Sequence, residues 1–141
     1  MAVITKTIQL DTKGETHIID ITKFAVEGLA QSSLVKGAVT LFVSGATGAL
    51  TTLEYEDGLV QDLKTAFEKI APRKGEYMHN LRWSDGNGFS HIRASMLGPS
   101  LSVPFVNGKL MLGTWQQIVF IDFDNRPRSR EIVMQFIGDK K

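Results

Sequence analysis

"GAVTLFVSGATGALTTLEYE", residues 37–56, sets the fold class. Two runs rich in β-branched and apolar residues, 37–45 and 49–56, flank the connection Gly45-Ala46-Thr47-Gly48. Runs of this composition bounded by glycine read as strands, and a link this short reads as a hairpin. The expectation is a sheet assembled from strands taken in pairs.

The rest of the chain extends that pattern. "AVITKTIQL" (2–10) and "THIIDI" (16–21) read as strands joined by the turn "DTKGE", an opening hairpin. Thr22 is placed as N-cap of a helix through "KFAVEGLAQSS", in which Gly28 costs about 1 kcal/mol relative to alanine. After residue 56, Leu59, Leu63, Ala66, Phe67 and Ile70 recur at spacings of three and four, which predicts a helix stopped by Pro72. Residues 73–88 read as irregular, and "FSHIRASML" (89–97) as a short helix ending at Gly98-Pro99. "SLSVPF", the turn signature "VNG" (106–108), "KLMLGTWQQIVFIDFD" bent at Gly113, and "REIVMQFIG" supply the closing strands. The sum is one α+β domain with a mostly antiparallel sheet and two or three helices.

Composition narrows the class of function. The 141 residues suit a single domain, and 43% apolar with 22% charged residues is a globular balance. A net charge of +1 implies no global attraction to nucleic acid or anionic lipid. The absence of cysteine removes disulfides, thiolate metal sites and a cysteine nucleophile. No signal-peptide pattern and no apolar run near 20 residues is visible, so the expected location is cytoplasmic, with neither membrane nor nucleic-acid partners.

The segment 77–95, "YMHNLRWSDGNGFSHIRAS", concentrates the candidate chemistry. It carries His79 and His91, two of the three histidines, with Asp85 and Asn87 between them. Long irregular stretches in small domains are usually functional. If the helix starts after Asn87, its free N–H groups favour an anion, and His91 stands in its first turns. Imidazole suits acid–base work, in which Asp85 could fix a tautomer, and it suits zinc ligation as well. The plainer alternative makes Asp85 or Asn87 a cap, Gly86 and Gly88 turn residues, and both histidines surface groups.

Three further features are candidates. Glu54 ends a strand, either lining a cleft or marking the exit to solvent. Arg126, Arg128 and Arg130 alternate, so an extended backbone sets them on one side, as a phosphate clamp or a solvated turn. Trp115, Gln116 and Gln117 enter a presumed buried strand, where an amide needs a partner, a ligand or a subunit interface. None of the nucleotide, zinc-protease or serine-hydrolase signatures occurs.

Taken together, "HIRASMLGPSLSVP", "NGKL", "LGTWQQI" and "TTLEYEDGLVQDL" resemble the YjbQ-type family, the secondary thiamine-phosphate synthases, over nearly the whole chain. The resemblance implies a barrel-like antiparallel sheet, a homotrimer, and a cleft holding His79, Asp85, Asn87, His91 and Glu54. It implies coupling of a hydroxymethylpyrimidine diphosphate to a thiazole phosphate with pyrophosphate release. That chemistry calls for a divalent cation, zinc or magnesium, and for basic groups at the departing diphosphate. Arg128 and Arg130 would fill the latter part, with Gln116 and Asn87 as further substrate contacts and His79 and His91 as metal or proton-transfer groups. One departure stands out: where many bacterial relatives carry a histidine before the glutamate strand, this chain has Gly45.

Overall fold

A computed structural model describes residues 1–141. Eight strands and four helices follow in the order β1 (Ala2–Thr12), β2 (His17–Asp20), α1 (Thr22–Ser32), β3 (Lys36–Val43), β4 (Gly48–Leu53), α2 (Asp57–Ile70), α3 (Met78–Trp83), α4 (Gly88–Leu97), β5 (Ser100–Val106), β6 (Lys109–Leu110), β7 (Gln117–Asp122) and β8 (Arg128–Asp139). All pairings are antiparallel, in a five-stranded sheet β1-β8-β3-β5-β6 and a three-stranded sheet β2-β7-β4. The result is a curled half-barrel, the expected α+β class.

The pairing of neighbours is where expectation and structure part. β1 pairs with β8 and β2 with β7, so the opening strands form no hairpin. β3 lies between β8 and β5, whereas β4 pairs with β7 in the other sheet. The Gly45–Gly48 link is a corner between sheets, with Gly45 at φ +123°. Its glycines permit the sharp change of direction that a hairpin would have used differently. The "VNG" turn does close a hairpin, β5 to β6, with Asn107 and Gly108 both at positive φ.

β7 explains the layering. Ile118 and Phe120 belong to the larger core with α1 and the five-stranded sheet. Val119, Ile121 and the following Phe123 belong to a second core with Phe67 of α2 and Ala94 of α4. A strand buried on both faces carries apolar residues on both, which is why "IVFI" (118–121) shows no alternation. α1 lies so close to β8 that a Cβ on Gly28 would come 2.8 Å from Phe136 Cζ. The helix-weakening glycine is therefore a packing requirement.

Helix details also differ. Ile21, not Thr22, is the N-cap of α1, and the Thr22 hydroxyl and N–H instead donate to Asp20 Oδ1. α2 buries Phe67 with Val60 and Leu63 against the core, while Ile70 is exposed. The stretch 73–88 is not wholly irregular, because it contains α3, closed by Ser84 in the left-handed region. One and a half turns leave no periodicity to read, and α3 turns its apolar side chains outward: Met78, Leu81 and Trp83 are 80%, 78% and 64% exposed.

Candidate functional site

α3 and α4 bring the two distant histidines together. His79 on α3 and His91 on α4 stack with ring centroids 4.4 Å apart and planes tilted by 53°. His79 Nε2 is 3.3 Å from Asp85 Oδ1. Asn87 occupies the N-cap of α4 without capping it through its side chain. Its amide nitrogen belongs on the Asp85 side, 3.0 and 3.2 Å from the two carboxylate oxygens and 2.9 Å from His79 Nε2. The reverse orientation gives it one long contact, 3.4 Å to Asp124 Oδ1, and sets its oxygen against two carboxylate oxygens. The shorter set prevails. A neutral His79 Nε2 thus accepts from the Asn87 amide; on protonation the amide turned the other way accepts from Nε2–H through Oδ1 at the same 2.9 Å, with Asp85 Oδ1 3.3 Å off, so both states have partners.

Beneath this pair lies a buried ionic network. Arg130 Nε donates to Asp122 Oδ2 at 2.8 Å and its Nη2 to Asp122 Oδ1 at 2.9 Å. Nη2 also donates to Thr47 Oγ1 at 2.7 Å, and Thr47 donates onward to Asp124 Oδ2 at 3.2 Å. Arg128 Nη1 donates to the same Asp124 oxygen at 2.5 Å. Thr12 Oγ1 donates to Asp122 at 2.6 Å. Asn125 Nδ2 donates to the Asp85 carbonyl at 2.8 Å and so ties the histidine loop to the β7–β8 connection.

Burial alone would push both aspartates up. For Asp122 the hydrogen bonds from Arg130, Thr12 and the Asp124 N–H outweigh it and hold the carboxyl below its ordinary range. For Asp124 the Asn125 N–H, Arg128 and Thr47 act the same way. Burial, aided by Lys13 and Lys64, lowers the pKa of the third histidine, His17, whose Nδ1 accepts from the Lys13 N–H at 3.0 Å.

The candidates divide accordingly. His79, Asp85, Asn87 and His91 meet, and Arg128 and Arg130 stand beside them through Asp124. Arg126 does not join, since it lies exposed in the turn before β8. Glu54 is not brought to the cluster. It follows the far end of β4 from Thr47, on the order of 20 Å away at 3.3 Å per residue. Gln116 is at that end too, in a turn outside any strand, where its Nε2 donates to Thr52 Oγ1 at 3.0 Å. Trp115 is exposed rather than part of a buried strand, and half-buried Gln117 opens β7 with its Oε1 accepting from the Tyr55 N–H. Polar groups sit there because the backbone turns at Gly113–Gln116 instead of continuing as strand.

A divalent metal does not fit this arrangement as a resident group. No three His, Asp or Glu side chains converge as a metal ligand set. His79 Nε2 is already engaged by Asp85 and Asn87. A groove of about 440 Å³ lies elsewhere, lined by Glu15, Lys64, Glu68, Arg73 and Arg93. Its two arginines are already paired, Arg73 with Glu15 at 2.6 Å and Arg93 with Glu68 at 2.7 Å, and it holds no histidine.

Comparison with known proteins establishes the family and the fold. The sequence matches the family described as UPF0047 protein YjbQ-like over residues 6–139. The chain belongs to the YjbQ/UPF0047 family. A UPF0047 protein of Methanothermobacter thermautotrophicus is 36% identical, covering 98% of this chain and 94% of that one. The Bacillus subtilis UPF0047 protein YugU is 33% identical over 94% of this chain and 98% of its own. A crystal structure of a YbjQ-like protein of unknown function from Sulfolobus solfataricus superposes with a TM-score of 0.93 at 29% identity, over 98% and 99% of the two chains. No helix in this YjbQ/UPF0047 protein is long and apolar enough to cross a membrane.

Asp122, Asp124 and Thr47 were not singled out from the sequence. A signal existed in "IDFDN": two carboxylates at period two interrupt an otherwise buried apolar strand, and a buried carboxylate demands a cation. The alternating Arg128 and Arg130 supply it.

Proposed function

We propose that the cleft carries out proton transfer on a phosphorylated small molecule, and that the reaction is the one the family resemblance suggests. That is a thiamine-phosphate synthase-like coupling of a hydroxymethylpyrimidine diphosphate to a thiazole phosphate with release of pyrophosphate. The observation that carries the reading is the contact of His79 with both Asp85 and Asn87 beside the His91 ring. It gives an imidazole with a partner in each protonation state, as a general acid–base group requires. Arg128 spends one nitrogen on Asp124 and keeps the rest of its fork, one-third exposed, for the departing diphosphate. Magnesium would arrive on the diphosphate oxygens, which suit it better than imidazole. A homotrimer completes the proposal, with the outward Met78, Leu81 and Trp83 of α3 as the surface one protomer presents to the next.

The test is pyrophosphate release by the purified protein given both substrates and magnesium. Turnover that disappears in His91→Ala and in Asp85→Ala, with both variants folded, supports the reading. No release above a protein-free blank by folded wild-type protein removes it. A second reading, metabolite binding without turnover in the same cleft, then becomes the one to pursue, with calorimetric heat lost in His79→Ala as its mark.

A further inference from the structure

Arg130 is 95% buried on the side-chain scale, leaving 5% exposed, and its Nε and Nη2 are committed to Asp122 and Thr47. Its remaining nitrogen, Nη1, donates to no protein group, yet no buried polar side-chain atom in the molecule lacks a partner. The small exposed remnant of this side chain therefore includes Nη1. It lies beside Gly45, where a Cβ would stand 3.3 Å from Nη1. Gly45 in turn lines a pocket of about 190 Å³ between the β3–β4 corner and α4, with Gly48, His91, Ser95, Gly98 and Pro99.

We infer that this pocket is a binding subsite for a single phosphate group, free or as a monoester, with Arg130 Nη1 as the donor at its edge and His91 as the second wall. The guanidinium is held by Asp122 in one orientation, so no side-chain entropy is lost when an oxyanion meets Nη1. The pocket has room for a tetrahedral oxyanion. Arg128, Arg130, Asp122 and Asp124 cancel in formal charge, so selection comes from a pre-aimed donor and from shape more than from net potential. Millimolar affinity for the bare anion is expected. The inference rests on the reading of this cleft as a phosphate-handling site. It divides the labour, giving the monophosphate of one substrate to Arg130 and the departing diphosphate to Arg128.

The experiment is titration of the folded protein with inorganic phosphate and with methyl phosphate, followed through the backbone amide resonances. Saturable shifts confined to Gly45, Gly48, His91 and the last turn of α4 are expected. Two variants close the pocket differently. Ser95→Trp fills its mouth from the exposed face of α4, and Gly45→Ala places a methyl against Nη1. Each is expected to weaken phosphate by about tenfold or more. Shifts scattered over surface lysines, or undiminished binding in Ser95→Trp, would overturn the subsite. Where a variant loses its fold, the location of the wild-type shifts decides the matter. Phosphate bound at Gly45 without pyrophosphate release upholds the subsite and removes the transferase. Release that persists with no phosphate response at Gly45 does the reverse.

Discussion

Arg130 and Asp122 meet through two parallel hydrogen bonds, 2.8 and 2.9 Å long, with the aspartate wholly inaccessible to solvent. A fork-to-carboxylate pair in such surroundings is costly to break from one side, because the survivor keeps its charge without its partner. Asp122→Ala is therefore expected to destabilise the fold by about 3–5 kcal/mol. Urea unfolding of the variant measures it; a loss below about 1 kcal/mol would mean that water reaches Arg130 freely.

The same aspartates set an acid limit. Asp122 and Asp124 both have folded-state pKa values below the ordinary carboxylate value. The unfolded chain takes up protons first as pH falls, so the stabilisation is fully present above about pH 4 and is lost progressively below it. Urea midpoints should be level between pH 7 and pH 5 for this contribution and should drop toward pH 3. Asp122→Asn should flatten that drop.

Gly28→Ala tests the α1 packing, since two effects oppose each other. Alanine favours the helix by about 1 kcal/mol, but its Cβ would press within 2.8 Å of the Phe136 ring. Overpacking costs about 1–3 kcal/mol, so net destabilisation is expected. A stabilised variant would show that α1 can lift from β8 at little cost.

His79→Phe separates stacking from proton transfer. Phenylalanine keeps a ring against His91 but has no nitrogen for Asp85 or Asn87. Stability should change little, while pyrophosphate release should fall about 10²-fold or more, the scale of a lost acid–base group. Equal rates would assign the pair a packing role.

The double substitution Leu81→Ser with Trp83→Ser addresses assembly. Both side chains face solvent in the single chain, so each should alter the stability of an isolated protomer by no more than about 0.5 kcal/mol. Elution in size-exclusion chromatography should nevertheless shift from trimer to monomer. An unchanged trimer would place the interface elsewhere.

By itself the sequence determined the elements that propagate through local rules. The stop at Pro72, the "VNG" hairpin and the break at Gly113 follow from backbone chemistry confined to a few residues. Antiparallel α+β class followed from the succession of short strands separated by turns. The convergence of His79 and His91 was anticipated from resemblance and from their common segment, and α3 and α4 realise it. Strand partnership was decided only by the tertiary structure. β1 finds β8 and β2 finds β7 across about a hundred residues or more, because burying β7 on both faces outweighs the convenience of pairing neighbours. The fate of charge was decided there too. Alternation puts Arg128 and Arg130 on one side, but only the fold places Asp122 and Asp124 against them, and it strands Glu54 at the wrong end of β4. A charge's partners are set by which surfaces the cores bring together, and that is a property of the whole chain's packing rather than of any window within it.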